Sequence, residues 1–533
     1  MCWPNVFIGK PLYDISLSFE DNCVRGPVFN GDIPTRIIPD KSQWKNLLGY
    51  KVASPIGVPA CAIMTSKGIA LASKLGYDIL TYKTITADGK QAYPTTNISY
   101  VAIENPLAYD AIGGTFLSTD QEPANPSLLA VTNAFGNASP SPSWVFEDIK
   151  HARACLHEGQ LLIVSVFGQA NENFTQEEDF ARAADIAYRA GAQVVEVNLS
   201  CPNIKGALVY KDPARVSAIV RAVCKQIPIP VIIKVGVFDS KQQMKETFIA
   251  AAHAGAQGIV GINTVPVRVI TKEGTPFFGS GREISGLSGA PIFNLAKQFV
   301  KDARHIIDQE NLNVALLATG GVTCAAQFQE LLDAGADAAL SGTGMMWYPY
   351  LATEYHAHEQ LKKEIIQKLN AIGAIKKGDF TLKSGKKSSI YLDMRCSFHD
   401  PELLKKIAQN FAQLIKDIHC DHICPVPYGA VPMATALALH INKSLIVPRK
   451  DIKDYGYQKA IEGVYSAGDS CILIEDVITT GGSILEAIEK LEKENISVAA
   501  IVVLVDRQEG GKERLEALGY KVLSVLTLKE IKK

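Results

Sequence analysis

Short apolar runs alternate with stretches of helical periodicity from about residue 53 to residue 345. The runs that read as strands are Ser54–Val58, Ile79–Lys83, Leu161–Phe167, Val194–Leu199, Val231–Val235, Gly258–Asn263, Val314–Ala318 and Ala338–Ser341. Helix starts mark the stretches between them. Thr175, with Glu178 three residues on, forms a capping box, and Asp212 precedes a first-turn proline, Pro213. Alternation of this kind implies a parallel sheet, and eight repeats predict closure into a (β/α)8 TIM barrel. The segment from Glu104 to Ser143, rich in Pro, Asn, Ser and Gly, is too long for a plain connection and reads as an elaborated loop over the active face.

After Tyr348 the pattern changes to a charged amphipathic helix over Glu359 to Ile372. Beyond it, Cys420–Pro425, Ser444–Val447, Cys471–Ile474, Val498–Val505 and Val522–Thr527 read as strands separated by helices. This predicts an open α/β domain with a mostly parallel sheet over residues 359–533, following a barrel over residues 1–358.

Composition narrows the class without changing that picture. The 533 residues exceed one ordinary core, and 47% hydrophobic with 20% charged residues is the balance of a globular protein. No apolar run approaches the ~18 residues of a membrane span. The start, Met1-Cys2-Trp3-Pro4, lacks a basic, apolar leader, so a cytoplasmic protein is expected. Eleven scattered cysteines do not form a disulfide framework, and a net charge of −1 gives no case for nucleic acid. Cys420 and Cys424 form a close pair but flank Asp421-His422-Ile423 in an expected buried strand, so no side-chain metal site is expected.

Polar residues interrupt the first half at strand C-termini, where a barrel presents its catalytic loops: Lys83, Asn198, Cys201, Lys234 and Asn263. Glycine clusters follow the seventh and eighth strands, at Thr319-Gly320-Gly321 and Ser341-Gly342-Thr343-Gly344. Exposed backbone amides there suit a phosphate. The run Gly286–Gly289 would close a further loop over it or form a bare turn.

The string Asn198-Leu199-Ser200-Cys201-Pro202-Asn203 resembles the signature of dihydroorotate dehydrogenases and the related dihydropyrimidine dehydrogenase domain, and the resemblance spans most of residues 45–350. It implies an FMN barrel in which Cys201 is the base, as in the soluble class. Lys83 and Lys234 would flank the flavin ring, and Asn198, Gly286, Gly320, Gly321, Gly342 and Thr343 would complete the cofactor site. Asn133, Asn203, Asn263 and Thr264 would hold the substrate. Ser139 stands where the family often has asparagine. The chain has no cysteine cluster for an iron–sulfur centre, leaving fumarate, a quinone, oxygen or an electron-transfer subunit as acceptor.

In the second half, Cys471-Ile-Leu-Ile-Glu475-Asp476 runs into Val477-Ile478-Thr479-Thr480-Gly481-Gly482-Ser483. A Thr/Gly loop wraps a 5-phosphate with amides and hydroxyls, and the paired acids hold ribose hydroxyls. The arrangement resembles the phosphoribosyl pyrophosphate motif of type I phosphoribosyltransferases. Three further segments resemble orotate phosphoribosyltransferase, including the matching domain of UMP synthases: Phe380–Gly385 with Lys383 and nearby Tyr391, the charged run Arg449–Gly456, and Asp506-Arg507. The resemblance implies that Lys453 neutralises departing pyrophosphate, that Arg449 and Lys450 clamp it, and that Arg507 pairs with orotate. Mg²⁺ would bridge the donor's oxygens. The family's loop closes over a neighbouring subunit, implying a homodimer or larger homo-oligomer. Tyr455 stands where many relatives have histidine.

The two halves read independently as consecutive steps of pyrimidine synthesis: dihydroorotate to orotate, then orotate and phosphoribosyl pyrophosphate to orotidine 5′-monophosphate. Three alternatives stay open at this point: a barrel acting on another dihydropyrimidine, a flavin-free scaffold barrel, and a second half that only senses phosphoribosyl pyrophosphate.

Overall fold

A computed structural model describes residues 11–103, 106–200, 208–381, 387–416, 418–449 and 460–532. The chain divides into two compact units, Met1–His356 and Ala357–Lys533.

The first unit is built on eight parallel strands: β1 Ile56–Val58, β2 Ile79–Ile85, β3 Leu161–Val166, β4 Val194–Asn198, β5 Val231–Lys234, β6 Gly258–Gly261, β7 Ala315–Thr319 and β8 Ala338–Leu340. They pair in sequence order and close, β8 against β1. All eight coincide with the expected runs to within two residues at either end. The period-two alternation of side chains along a strand sorts each into two sets. Val195, Val197, Leu162, Val164 and Ile233 pack outward under the helices, while Ile79, Leu161, Ile163, Val194, Ile232, Val260 and Leu317 fill the lumen. Leu47 and Val52 of the hairpin Lys45–Val52 join that lumen cluster. The capping box at Thr175 and Glu178 is formed, and Asp212 caps the helix Pro213–Gln226.

Residues 106–143 are not a plain loop. With flanking residues they supply three short strands, Ile98–Ala102, Thr115–Thr119 and Ala130–Asn133, which join Val265–Ile270 and Ile284–Gly289 in a second closed five-stranded sheet. The run Gly286–Gly289, expected as a turn or closing loop, is therefore strand. It pairs antiparallel with Ala130–Asn133 and, through Gly286 and Leu287, with Pro266 and Val265.

The second unit carries strands β9 His422–Pro425, β10 Ser444–Leu445, β11 Ser470–Ile478, β12 Ser497–Asp506 and β13 Val522–Thr527, in the parallel order β10-β9-β11-β12-β13. Alternate residues of the central strands feed two cores: Ile472, Ile474, Val502 and Leu504 on one face, Cys471, Leu473, Ile501 and Val503 on the other. The helix expected over Glu359–Ile372 begins earlier, at Leu351, and ends at Ala371. An antiparallel hairpin, Ile375–Thr381 with Lys387–Leu392, follows it; the sequence pattern did not predict this hairpin. No helix among the described residues is long and apolar enough to cross a membrane, and no group of three or more His, Cys, Asp or Glu side chains there is placed to hold a metal.

Candidate active sites

Above the aliphatic layers of the barrel lumen, the inward residues turn polar. Lys83, Asn198, Lys234 and Thr319 lie at the C-terminal ends of β2, β4, β5 and β7 and line one cavity. Asn133, Asn263, Thr264, Gly320, Gly321, Gly342 and Thr343 line it too. Gly286 does not: a Cβ there would meet Thr264 Oγ1 at 2.2 Å, so its glycine serves close packing of the hairpin beside the cavity. Cys201 and Asn203 lie outside the described residues.

The two lysines are nearly closed off, at 5% and 3% exposure. Lys83 Nζ sits 5.0 Å from the centroid of the Phe19 ring, while Lys234 has no hydrogen bond or ion pair among the described residues. Desolvated ammonium groups facing a cavity favour an anionic occupant. The amides are held in fixed orientations. Asn198 Nδ2 donates to Thr84 Oγ1 at 3.3 Å and its Oδ1 accepts the Ser200 N–H at 3.2 Å. Asn263 Oδ1 accepts the Thr264 N–H at 2.9 Å, and its Nδ2 donates to the Ser200 carbonyl. Asn133 Nδ2 reaches the Gly286 carbonyl at 3.4 Å.

Gly321 has φ +77°, and a Cβ on it would meet Phe293 N at 2.5 Å. Only glycine lets the chain pass there and leave its backbone facing the cavity. Thr343 donates to Ser288 Oγ at 2.9 Å on the adjoining wall, and Ile98, Val131, Ile262, Ile292 and Trp347 supply apolar wall. The set of glycine backbone, buried cations and apolar walls suits a flat, phosphorylated aromatic ligand.

Two further lining residues escaped the sequence reading. Asn137 is 8% exposed, adopts φ +57°, and its Nδ2 has no partner among the described residues; it lies between Asn133 and Ser139, the two positions the resemblance marks, and that neighbourhood is the available signal. Cys61 lines the cavity with φ +82°, a conformation no sequence pattern marks.

In the second unit, the central strand β11 carries Glu475 and Asp476 near its C-terminal end. Glu475 is 5% exposed; its Oε1 accepts the Asp476 N–H at 3.0 Å and its Oε2 accepts from Ser483 Oγ at 3.0 Å. Burial, reinforced by Asp476 beside it, pushes the Glu475 carboxyl well above the usual range. Asp476 Oδ1 accepts the Val477 N–H at 2.8 Å, and Gly429 passes so close that a Cβ on it would meet Asp476 Oδ2 at 2.3 Å.

Thr479 and Thr480 form the turn after β11. Gly481, at φ +77°, leads into the helix Gly482–Lys493, whose second residue is Ser483. Arg507, at the end of β12, has its side chain 5% exposed; Nε bonds Glu509 Oε1 at 2.8 Å and Nη2 bonds Ser388 Oγ at 3.3 Å. The Ser388 bond ties Arg507 to the hairpin that carries Tyr391, whose ring stands 5.6 Å from that of Phe380. Arg449 pairs with Glu462. Lys383, Lys450 and Lys453 lie outside the described residues.

The first unit is thus a barrel with a cation-lined cavity at the strand C-termini. The second is a parallel-sheet domain with an acid pair before a Thr/Gly turn, the arrangement of a phosphoribosyltransferase. Comparison with known proteins agrees. A family profile described as dihydroorotate dehydrogenase matches residues 123–369, and one described as phosphoribosyl transferase domain matches residues 397–524. A dihydroorotate dehydrogenase of Dictyostelium discoideum is 38% identical over 367 residues, 67% of this chain and 98% of that relative. An orotate phosphoribosyltransferase of Methanosarcina mazei is 38% identical over 175 residues, 33% of this chain and 94% of the relative. A uridine 5′-monophosphate synthase of Bos taurus is 38% identical over 177 residues, 33% of this chain and 37% of the relative. The chain belongs to the dihydroorotate dehydrogenase family in its first part and to the orotate phosphoribosyltransferase family in its second, a fusion of two enzymes of pyrimidine biosynthesis.

Proposed function

We propose that this chain oxidises dihydroorotate to orotate in residues 1–358 and joins orotate to phosphoribose in residues 359–533. The observation that carries the first half is the pair of buried lysines, Lys83 and Lys234, converging on one cavity with glycine backbone at Gly320 and Gly321. These residues fit FMN: glycine amides for its phosphate, apolar walls for its ring, and ammonium groups for the negative charge gained on reduction. FMN, when bound, supplies hydride acceptance. The protein's own task is to hold dihydroorotate and remove one proton from the carbon beside the one that loses hydride. Asn133, Asn203, Asn263 and Thr264 hold the substrate's carboxylate and ring, and Cys201 is the base.

In the second half, Glu475 and Asp476 hold the ribose hydroxyls of phosphoribosyl pyrophosphate, and Thr479, Thr480, Gly481, Gly482 and Ser483 wrap its 5-phosphate. Mg²⁺ would enter with the donor and would supply charge compensation. Arg507 and Tyr391 bind orotate with Lys383, while Arg449, Lys450 and Lys453 neutralise the departing pyrophosphate. The chain works in the cytoplasm as a homo-oligomer, without nucleic acid, and passes its electrons to a small acceptor or a separate subunit.

The test is anaerobic mixing of purified protein with dihydroorotate, following the flavin absorbance. Bleaching that disappears in Cys201→Ala supports the dehydrogenase. A yellow protein that ignores dihydroorotate contradicts it. For the second half, Mg²⁺-dependent release of pyrophosphate from phosphoribosyl pyrophosphate plus orotate, lost in Lys453→Ala, is expected; turnover without orotate would contradict the assignment.

A further inference from the structure

One acid in the barrel is used by none of the steps above. Glu196, in the middle of β4, is fully buried, and neither of its carboxylate oxygens has a hydrogen-bond partner among the described residues. Its direction follows from its strand. Val194, two residues before it, packs in the lumen cluster, whereas Val195 and Val197 pack outward, so Glu196 points into the lumen. Asn198, two residues further on the same side, lines the cofactor cavity. Glu196 therefore lies one layer beneath that cavity.

The neighbouring strand places Lys234 diagonally above it. Glu196 stands opposite Ile232, and Asn198 opposite Lys234. Ile232 belongs to the lumen cluster, so Lys234 also faces inward, and it lines the cavity. With a strand rise of ~3.3 Å per residue and a strand spacing of ~4.8 Å, the offset puts the two Cα atoms roughly 8 Å apart, within reach of two long side chains. Thr81, on the lumen side of β2 two residues beyond Ile79, also has a buried Oγ1 without a partner among the described residues. An apolar side chain of similar volume would fill this layer at lower free-energy cost than an unpaired acid.

We propose that Glu196 is a positioning residue for the barrel's cofactor: the buried counter-charge of Lys234, which sets how strongly the cavity favours a reduced, anionic flavin. This rests on the reading of the barrel as a flavin-dependent dehydrogenase. The ammonium stabilises charge gained on the ring, and a carboxylate one layer below draws it down and away from the ring, weakening that stabilisation. The reduced cofactor is thereby kept a stronger donor to the next acceptor.

The test is the flavin midpoint potential of the full-length holoprotein, measured by equilibration with redox dyes. Glu196→Gln should raise it, shifting the oxidised-to-reduced ratio at least tenfold, ~30 mV for a two-electron couple. Glu196→Asp should stay within threefold of wild type. Because Glu196 acts through Lys234, adding Glu196→Gln to Lys234→Met should move the potential no further. A yellow Glu196→Gln protein with the wild-type potential overturns the proposal and leaves a packing residue bridged by buried water. Should Glu196→Gln lose its flavin, infrared difference spectra of oxidised and reduced protein decide. A carboxylate band that responds to reduction and shifts in Glu196→Asp supports the role, and its absence overturns it. A colourless wild-type protein is a distinct outcome, which removes the dehydrogenase reading and this proposal with it.

Discussion

Glu475→Gln separates the two things this buried acid does. Its Oε1 accepts the Asp476 N–H and its Oε2 accepts from Ser483 Oγ, both at 3.0 Å. A glutamine keeps the first bond through its carbonyl oxygen, and its amide can donate to the Ser483 hydroxyl, which rotates to accept. The fold therefore survives, and one desolvated negative charge beside Asp476 is gone. Because burial and Asp476 raise this carboxyl, its contribution to stability is fully present below the unfolded glutamate value of about 4.3 and is lost as pH rises through the folded value. The variant should thus equal wild type in acid and exceed it near neutrality, by about 1 kcal/mol or more.

Catalysis should move the other way. A hydrogen bond from a ribose hydroxyl to a charged acceptor contributes ~1.5–3 kcal/mol, so kcat/KM for phosphoribosyl pyrophosphate should fall roughly 10- to 150-fold, with KM for orotate little changed. Urea unfolding at two pH values, paired with pyrophosphate-release kinetics, measures both. A variant with unchanged KM for the donor and lower stability at neutral pH would refute the reasoning.

Three more perturbations follow from the geometry. Gly321→Ala puts a Cβ 2.5 Å from Phe293 N at φ +77°, so it should cost ~1–3 kcal/mol and weaken FMN retention at least tenfold, checked by denaturation and flavin titration. Cys61→Gly relieves a left-handed cysteine at φ +82° and should stabilise the barrel by ~1 kcal/mol without loss of bound flavin, read from the urea midpoint. Lys362, its side chain 8% exposed, bridges Glu359 at 3.0 Å and Glu530 at 3.3 Å, so Lys362→Met should cost ~3 kcal/mol at neutral pH. Although burial opposes ionisation of Glu530, Lys362 holds its carboxyl below the usual range. That stability is present above the unfolded value of ~4.3 and lost as pH falls through the lower folded value, so the variant's deficit should shrink in acid, as a pH series of unfolding curves would show.

The eight barrel strands were legible because their residues are buried on both sides, and a continuous apolar run between capped helices has few other meanings. The strand-end polar residues were legible for the complementary reason: Lys83, Asn198 and Lys234 break runs that packing alone would keep apolar. The second small sheet was not. Thr115–Thr119 is largely unburied and Ile98–Ala102 short, and the Gly and Pro residues around them read as loop. Gly286–Gly289 misled for the same reason: its glycines serve contact with Thr264 and with Leu129 rather than a turn. The hairpin Ile375–Leu392 opens on the polar string Lys376-Lys377-Gly378-Asp379, which carries no strand period. Glu196 passed unnoticed because one acid in an apolar run marks a strand edge as readily as a buried charge. Only the register shows that it points inward.

The central claim is that one chain performs two consecutive reactions. The most direct measurement incubates the purified protein with dihydroorotate, phosphoribosyl pyrophosphate, Mg²⁺ and a dye electron acceptor, and quantifies orotate and orotidine 5′-monophosphate over time. The account predicts orotidine 5′-monophosphate, abolished by Cys201→Ala and restored there by added orotate, and replaced by accumulating orotate in Lys453→Ala. Failure of wild-type protein to make orotate from dihydroorotate, while it still converts added orotate, would contradict it.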